Sequence, residues 1–474
     1  MIAPAWERDP ILRLGSASYP PRTRLRKHMV DGRTVVVQAA MATESTTRAC
    51  APTSIEKTVE PDLGHGLIPK ERYTSPEFAR LEWERMWTRV WLLAGWERDV
   101  AQPGDWFTFE IGSESVIVAR DRAGRLHAHY NVCLHRGNRL CDPGRGRSPT
   151  FSCRYHAWEW NLDGTLRRAT DAEGFTQGLP TGLRLGSLRC ETWSGFVWVT
   201  MDADAEPLAD FLGDLPAHLA PYRFEEHVLV DDVTLEVACN WKTCVDAFNE
   251  AYHVQGTHPE LLEYSDDVNV QIDLYGRHSR FIYPVGTPSP RLGHLARVPR
   301  WLGDIVLRGV GIDPDTFSGS VADVKPAALA ASRALGEQLG MDLSALRDEQ
   351  LLDDYHYTVF PNVTLNIHGR GFWLFRHRPH PDDPNRMFFD FQDYLRWPES
   401  LGERPRPPHR RDVQGGTSLG IVLDQDLYNL PRVQAGMRSR AFTGLLLSAQ
   451  ERRIRHFHRM LEGYVLDGTG SSSA

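Results

Sequence analysis

The sequence predicts an α+β protein in two parts: a small antiparallel β domain, then a larger domain in which helices pack on an antiparallel sheet. Three observations carry this. At 474 residues and 53.8 kDa the chain exceeds what one hydrophobic core usually supports. Residues 89–205 are short apolar runs such as FTFEIG, SVIVARD and GFVWVTM, divided by Gly, Asp and Pro turns, the pattern of hairpin-linked strands. Residues 206–465 alternate helical segments with runs such as HYTVFPNVTLNIHG, FWLFRHRP and RMFFDFQDYLRWP, as expected of helices laid on an antiparallel sheet.

In chain order, residues 1–55 read as a disordered extension, with Arg22, Arg24, Arg26 and Lys27 close together and much Ala, Ser and Thr. The segment lacks the apolar core and small-residue cleavage site of a secretory peptide, and Met29 and Met41 offer later starts. Residues 70–88 contain SPEFARLEWERMW, a helix that docks on the larger domain: Ser75 can cap it, Pro76 suits its first turn, and Phe78, Leu81, Met86 and Trp87 recur at helical spacing. A Pro-containing stretch at 205–221 links the two domains. Tracts 299–347 and 397–413 read as insertions, the second a Pro/Arg-rich loop, and 466–474 as a disordered tail.

A net charge of −8 argues against nucleic acid as a partner. No run of about 18 apolar residues suggests a membrane span, so a cytoplasmic protein is expected. Seven cysteines in so long a chain do not make a secreted disulfide framework; metal ligation or plain burial fits them better.

The first chemical constellation lies in the β domain, where NVCLHRGNRL is followed by FSCRYHAWEW. Cys133 and His135, then seventeen residues, then Cys153 and His156 place two ligands on each of two loops. Two thiolates and two imidazoles suit zinc, or a [2Fe–2S] cluster with both histidines on one iron. Each loop contributes one Cys and one His, whereas zinc fingers usually pair like with like. Two buried cysteines beside surface histidines are the plainer alternative.

The second is NWKTCVDAFNEAYHVQGTHPELLE. On a continuous helix Asp246, Glu250 and His253 share a face, and Gly256 permits a bend that brings His258 beside His253. Two histidines and a carboxylate on one side of an ion are the usual set for non-haem Fe(II). Taken alone, such a histidine pair is more often solvated surface or a satisfied core group.

The order of these motifs, with the string Asn240-Trp241-Lys242 and Glu250-x-Tyr252-His253-x4-His258-Pro259, resembles the oxygenase α-subunits of Rieske non-haem iron oxygenases over roughly residues 70–460. His135-Arg136-Gly137 and His156-Ala157-Trp158 resemble the Rieske consensus, with Arg154 where Pro is common and Ala157 where Gly is common. The resemblance implies a helix-grip, START-like catalytic domain, a [2Fe–2S] cluster on Cys133, His135, Cys153 and His156, and a mononuclear Fe(II) on His253, His258 and a distant aspartate. Register with the segment VLDQDLYNLPRVQAGMRS selects Asp426, with Asp424 as its competitor. It also implies that Glu250, where Asp is more usual, bridges the cluster of one subunit to the iron of its neighbour. Further implications are a separate reductase or ferredoxin, a homotrimer with or without a β-subunit, and O2-dependent hydroxylation of a small, aromatic organic substrate. Glu at the bridging position also occurs in members that hydroxylate quaternary ammonium compounds, the alternative substrate class beside methoxy and N-methyl compounds. An electron-transfer Rieske protein and a zinc-stabilised binding protein are the rivals from other classes. Phe248, Phe360, Leu365 and Phe372 are candidates for a substrate wall as well as for the core.

Overall fold

The computed structural model describes residues 58–59, 61–398 and 401–466. The extension at 1–55 lies outside the described residues, as does the tail from 467 on. Helix α1 (Pro76–Glu82) starts where Ser75 accepts a hydrogen bond from the Phe78 amide, with Pro76 in the first turn. The expected single helix changes pitch: from Trp83 to Trp87 its turns widen to the i→i+5 pattern, and Met86 and Trp87 are buried there.

The β domain holds a seven-stranded sheet that runs from Leu92–Trp96 at one edge, paired with Phe196–Thr200, to Arg145–Arg147 at the other, and a three-stranded sheet of Thr150–Ser152, Glu159–Asn161 and Leu166–Arg168. Cys133 and His135 follow the strand Leu126–Tyr130; Cys153, His156 and their loop join the first two strands of the small sheet. Trp158, Trp160 and Phe151 bury both cysteines in a separate small core. The linker forms two short helices, Leu208–Leu212 and Leu215–Leu219.

The larger domain is built on β1 (His227–Val237), β2 (Gln271–Tyr275), β3 (His278–Tyr283), β4 (Asp354–Val359), β5 (Val363–His368), β6 (Gly371–Pro379), β7 (Met387–Arg396) and β8 (Arg410–Asp412). They form one sheet in the order β2-β3-β4-β5-β6-β7-β1-β8. Every pairing is antiparallel except β1 with β8. Helices α2 (Trp241–Ala247), α3 (Val254–Thr257), α4 (Val321–Gln338), α5 (Ile421–Met437) and α6 (Arg452–Val465) accompany it. The sheet grips α6 through Arg453, which donates to Ser279 on β3 and Thr358 on β4. Among the described residues no helix is long and apolar enough to cross a membrane.

The tract at 299–347 is not a bare insertion. It folds into a wide-turned helix, Leu302–Leu307, and into α4, whose Ser320 caps the first turn. The Pro/Arg-rich tract contributes Arg406, which forms a bidentate pair with Asp99 of the β domain at 2.6 and 2.9 Å and reaches Asp232 on β1 at 2.7 Å. Arg376 and Arg378 on β6 join the same two domains. They pair with Asp390 on β7 and donate to the backbone oxygens of Leu93, Ala94 and Glu110. Burial alone would raise the Asp390 carboxyl, but the two guanidiniums hold it far below the usual carboxylate range. One apolar core, containing Trp91, Phe107 and Trp198 along with Phe372, Phe391 and Leu374, runs through both domains.

Candidate metal centres

In the β domain the two loops make matching turns. The Gly137 amide donates to Cys133 O and the Ala157 amide to Cys153 O, each at 2.9 Å. Gly137 and Ala157, four residues after the respective cysteines, both adopt positive φ, 76° and 57°. A residue with a Cβ is strained in that conformation, so Ala157 is the weaker turn. Ala157→Gly is expected to raise stability by about 0.5–1 kcal/mol, read as a later loss of visible absorption during urea denaturation.

These turns bring the His135 and His156 rings to 4.5 Å between centroids and leave Cys133 and Cys153 buried as free thiols. The Asn138 side chain donates to Cys153 Sγ. Burial pushes the Cys133 thiol up; at Cys153 the amides of Tyr155 and His156 outweigh burial and hold the thiol down. Among the described residues the buried His135 Nδ1 has no hydrogen-bond partner, as a ring nitrogen reserved for a metal would be. Among the described residues the one set of three or more ligand atoms lying within 4.8 Å of one another is elsewhere. Leu134 and Tyr155, beside the two rings, are exposed.

That compact set is His253, His258 and Asp426. It does not arise as the sequence suggests, because the helix carrying Asp246 stops at Ala247. Phe248 and Asn249 close tighter turns onto Val245 and Asp246, and the chain re-enters a helix only at Val254. Asp246, Glu250 and His253 therefore do not share a helical face. Asp246 accepts from Tyr73 Oη in the core. Glu250 ends the break by accepting from the His253 amide at 3.0 Å, an acceptor for the short α3. Gly256 lies inside α3 and makes no bend; the break comes before it.

The two outer ring nitrogens are held in place. Glu250 Oε1 accepts from His253 Nδ1 at 2.6 Å and Gln425 Oε1 from His258 Nδ1 at 2.7 Å. Each ring then turns Nε2 toward Asp426, at 3.7 Å for His253 and 2.9 Å for His258. This is how polar groups behind a metal ligand fix its tautomer. Burial opposes charge on His253, but the carboxylates of Glu250 and Asp426 hold its imidazole up to about 9. A metal cation held by His253, His258 and Asp426 would displace that proton.

Asp426 belongs to the inward stripe of α5 with Leu423, Leu430, Gln434 and Met437. Asp424 points elsewhere, accepting from the Leu419 amide and Ser418 Oγ at the start of the helix. Gln434, from the segment that set the register, accepts from Asn240 N and Thr243 Oγ1 and donates to Tyr73 O and Asn385. It ties α5 to the start of α2. Gln425 was not anticipated; its one sequence signal is its place beside a candidate ligand.

A cavity of about 220 Å³ opens onto the three ligands. Phe248 lines it, but Phe360, Leu365 and Phe372 are in the main core, Phe360 against Phe457 and Tyr464. Ile305, Val306 and Ser332 of the 299–347 tract form part of the wall.

The model of the ring hydroxylating alpha subunit (catalytic domain) family matches residues 224–467, more than half of the chain. The chain belongs to this family. The Rieske [2Fe-2S] domain model matches residues 90–180, which include all four Cys and His residues of the first constellation. The chain is therefore a Rieske-type ring-hydroxylating α-subunit, whose two domains are those of a [2Fe–2S] cluster and a mononuclear iron.

Relatives of this α-subunit include the glycine betaine monooxygenase oxygenase subunit of Pseudomonas aeruginosa, 31% identical over 199 residues, 41% of this chain and 46% of that protein. The carnitine monooxygenase oxygenase subunit of Escherichia coli is 32% identical over 226 residues, 47% and 59% of the two chains. The chain spans about half the length of the curated relatives it matches. Among solved structures, a quaternary ammonium Rieske monooxygenase shares the fold with a TM-score of 0.62 at 18% identity, over 84% of this chain and 95% of that one. Naphthalene 1,2-dioxygenase does so with 0.61 at 20%, over 87% and 95%.

Proposed function

We propose that this chain is the terminal oxygenase component of a monooxygenase that oxidises a small quaternary ammonium or N-methyl compound, drawing electrons from a separate reductase or ferredoxin. The observation that carries this is the wall of the cavity beside His253, His258 and Asp426. It combines the aromatic rings of Phe248, Tyr264, Phe281, Tyr283, Trp373 and Phe375 with the carboxyl of Asp354. Aromatic faces and a carboxyl attract an alkylammonium cation. An aromatic hydrocarbon would leave the polar part of the wall dry and unpaired, at a cost of about 1–3 kcal/mol per group. The relatives named for glycine betaine and carnitine support the same reading over the aromatic substrate that the sequence first suggested.

Cys133, His135, Cys153 and His156 would hold the cluster, and His253, His258 and Asp426 the iron. When bound, the two groups supply electron transfer and oxygen activation. The chain itself fixes the ring tautomers through Glu250 and Gln425, and encloses the substrate beneath Ile305 and Val306. In a ring of three copies, the cluster histidines of one chain would meet Glu250 of the next.

The test supplies the iron-loaded protein and a surrogate reductase with glycine betaine, carnitine, choline and naphthalene under isotopically labelled dioxygen. The expected outcome is oxidation of an ammonium substrate with one labelled oxygen per turnover in the oxidised carbon fragment, formaldehyde where an N-methyl is lost, and the other in water. A naphthalene diol with two labelled atoms, and no ammonium product, would reverse the assignment.

A further inference from the structure

Four strands of the larger sheet turn one face to the cavity. Phe281 on β3, His356 on β4, Asn366 on β5 and Trp373 on β6 form one row, each directly opposite the next. Two residues along, Tyr283 stands opposite Asp354 on the same face. All six line the cavity. The middle of this wall is therefore polar and its two sides are aromatic. The polar middle is incomplete: among the described residues the buried atoms His356 Nε2, Asn366 Nδ2 and Asp354 Oδ1 have no hydrogen-bond partner. Buried polar groups in native proteins are nearly always paired, so these three mark a place where a ligand completes the bonding.

Donors and acceptor can be assigned. Arg453 donates to His356 Nδ1 at 3.2 Å; a guanidinium has no acceptor, so Nδ1 carries the lone pair and Nε2 the proton. Burial keeps this imidazole neutral, well below its usual range, and Phe281 stacks on it at 4.8 Å between centroids and fixes the ring plane. Asn366 Nδ2 is a donor in any state. Asp354 Oδ1 is the acceptor. Burial pushes its carboxyl up to about 7, with Arg453 and the Ile367 amide opposing the rise and Asp353 adding to it. His368 Nε2, also unpartnered, can act as donor or acceptor and decides nothing. Two donors and one acceptor thus share the wall, and a hydroxyl completes all three: its oxygen accepts from His356 and Asn366 while its hydrogen goes to Asp354. A carboxylate would lie against Asp354, a quaternary ammonium has no hydrogen to give, and a protonated amine has no lone pair. The cation keeps its own place. Tyr283 and Trp373 lie one strand away on either side, about 4.8 Å across, a gap that two or three carbons span. Asp354 then attracts the ammonium by its charge and takes the hydroxyl hydrogen on Oδ1, so its two roles do not compete.

We infer that His356, Asn366 and Asp354 form a hydroxyl subsite, and that the substrate is a hydroxyalkylammonium compound whose oxygen stands two or three carbons from the nitrogen. The inference rests on the proposed oxygenase reading and narrows its substrate class. Arg453, which does not line the cavity, acts through His356 and is a positioning residue.

The experiment is titration calorimetry on the metal-loaded protein without reductant, at about pH 8 so that the Asp354 carboxyl is ionised. Two pairs of probes are compared: choline against n-propyltrimethylammonium, in which a methyl replaces the hydroxyl, and carnitine against deoxycarnitine. In at least one pair the hydroxyl compound should bind about tenfold more tightly, because an analogue without the hydroxyl leaves buried groups unpaired. Asn366→Leu should shrink that preference to less than about threefold, and retention of the cluster absorption shows that the variant is folded. If ordered water fills the polar strip instead, it stays in place beneath either member of a pair. A preference below about threefold in both pairs, or no binding in either, therefore overturns the subsite on the unaltered protein alone, whether or not the variant folds. An unaltered preference in folded Asn366→Leu overturns it too. Oxidation of both members of a pair, together with equal binding, would remove the hydroxyl subsite and leave the oxygenase reading standing. Hydroxyl-dependent and Asn366-dependent binding with no oxygen-dependent product would do the reverse.

Discussion

Asp426→Ala is expected to lower iron from about three to about two atoms per chain, with the visible absorption of the cluster unchanged. Asp426 supplies the oxygen that lies 2.9 Å from His258 Nε2 and 3.7 Å from His253 Nε2. Without it two imidazoles face a site with no anionic ligand, and oxygenase activity is lost. Asp424→Ala serves as the control. Its carboxylate accepts from Leu419 and Ser418 at the start of α5, so its loss costs about 1 kcal/mol of stability and retains all the iron. Metal analysis with acid-labile sulfide on both proteins decides the matter. Iron lost from the Asp424 variant and kept by the Asp426 variant would exchange the two assignments.

The second large effect is expected at Glu250. Both of its carboxylate oxygens engage His253, one at the amide and one at Nδ1. A glutamine keeps the shape and loses the charge that holds the ring. Glu250→Gln should retain both metal centres but slow reoxidation of the reduced cluster 10–100-fold, the scale found when groups behind a metal ligand are altered. Glu250→Asp keeps the charge and should lose less. Single-turnover absorbance of the cluster in the presence of substrate measures this, and an unchanged rate in Glu250→Gln removes the bridging role.

Much of this was legible in the sequence because ligand chemistry forces residue types into short spacings. Cys133 to His156 is such a case, and the alternation of β4 to β7 gave the larger sheet. Asp426 could have been separated from Asp424 on periodicity alone. Leu423, Asp426, Leu430, Gln434 and Met437 repeat at intervals of three and four, whereas Asp424 falls off the stripe. The helix break before His253 was not legible. Nothing in DAFNEAYH opposes a helix as strongly as Pro or Gly would, and the break depends on Glu250 bonding the His253 amide, a choice set by tertiary packing. Nor was the cavity's polar wall visible. Asp354, His356, Asn366 and His368 fall in strands whose alternation shows which residues share a face, without showing that the face meets a cavity rather than the core.

The joint made by Arg376, Arg378 and Arg406 with Asp390, Asp99 and Asp232, over a core shared by both domains, leaves no hinge between them. The route from one redox centre to the other within a chain is therefore a rigid dimension of the molecule. Natural variation or engineering that needs a shorter path must change how whole chains meet, because a longer or looser linker would move nothing. By the same reasoning, grafting the cluster domain of a relative onto this catalytic domain would require carrying over Asp99 and the strand backbones that receive Arg376 and Arg378, or the hybrid would expose the common core at its seam.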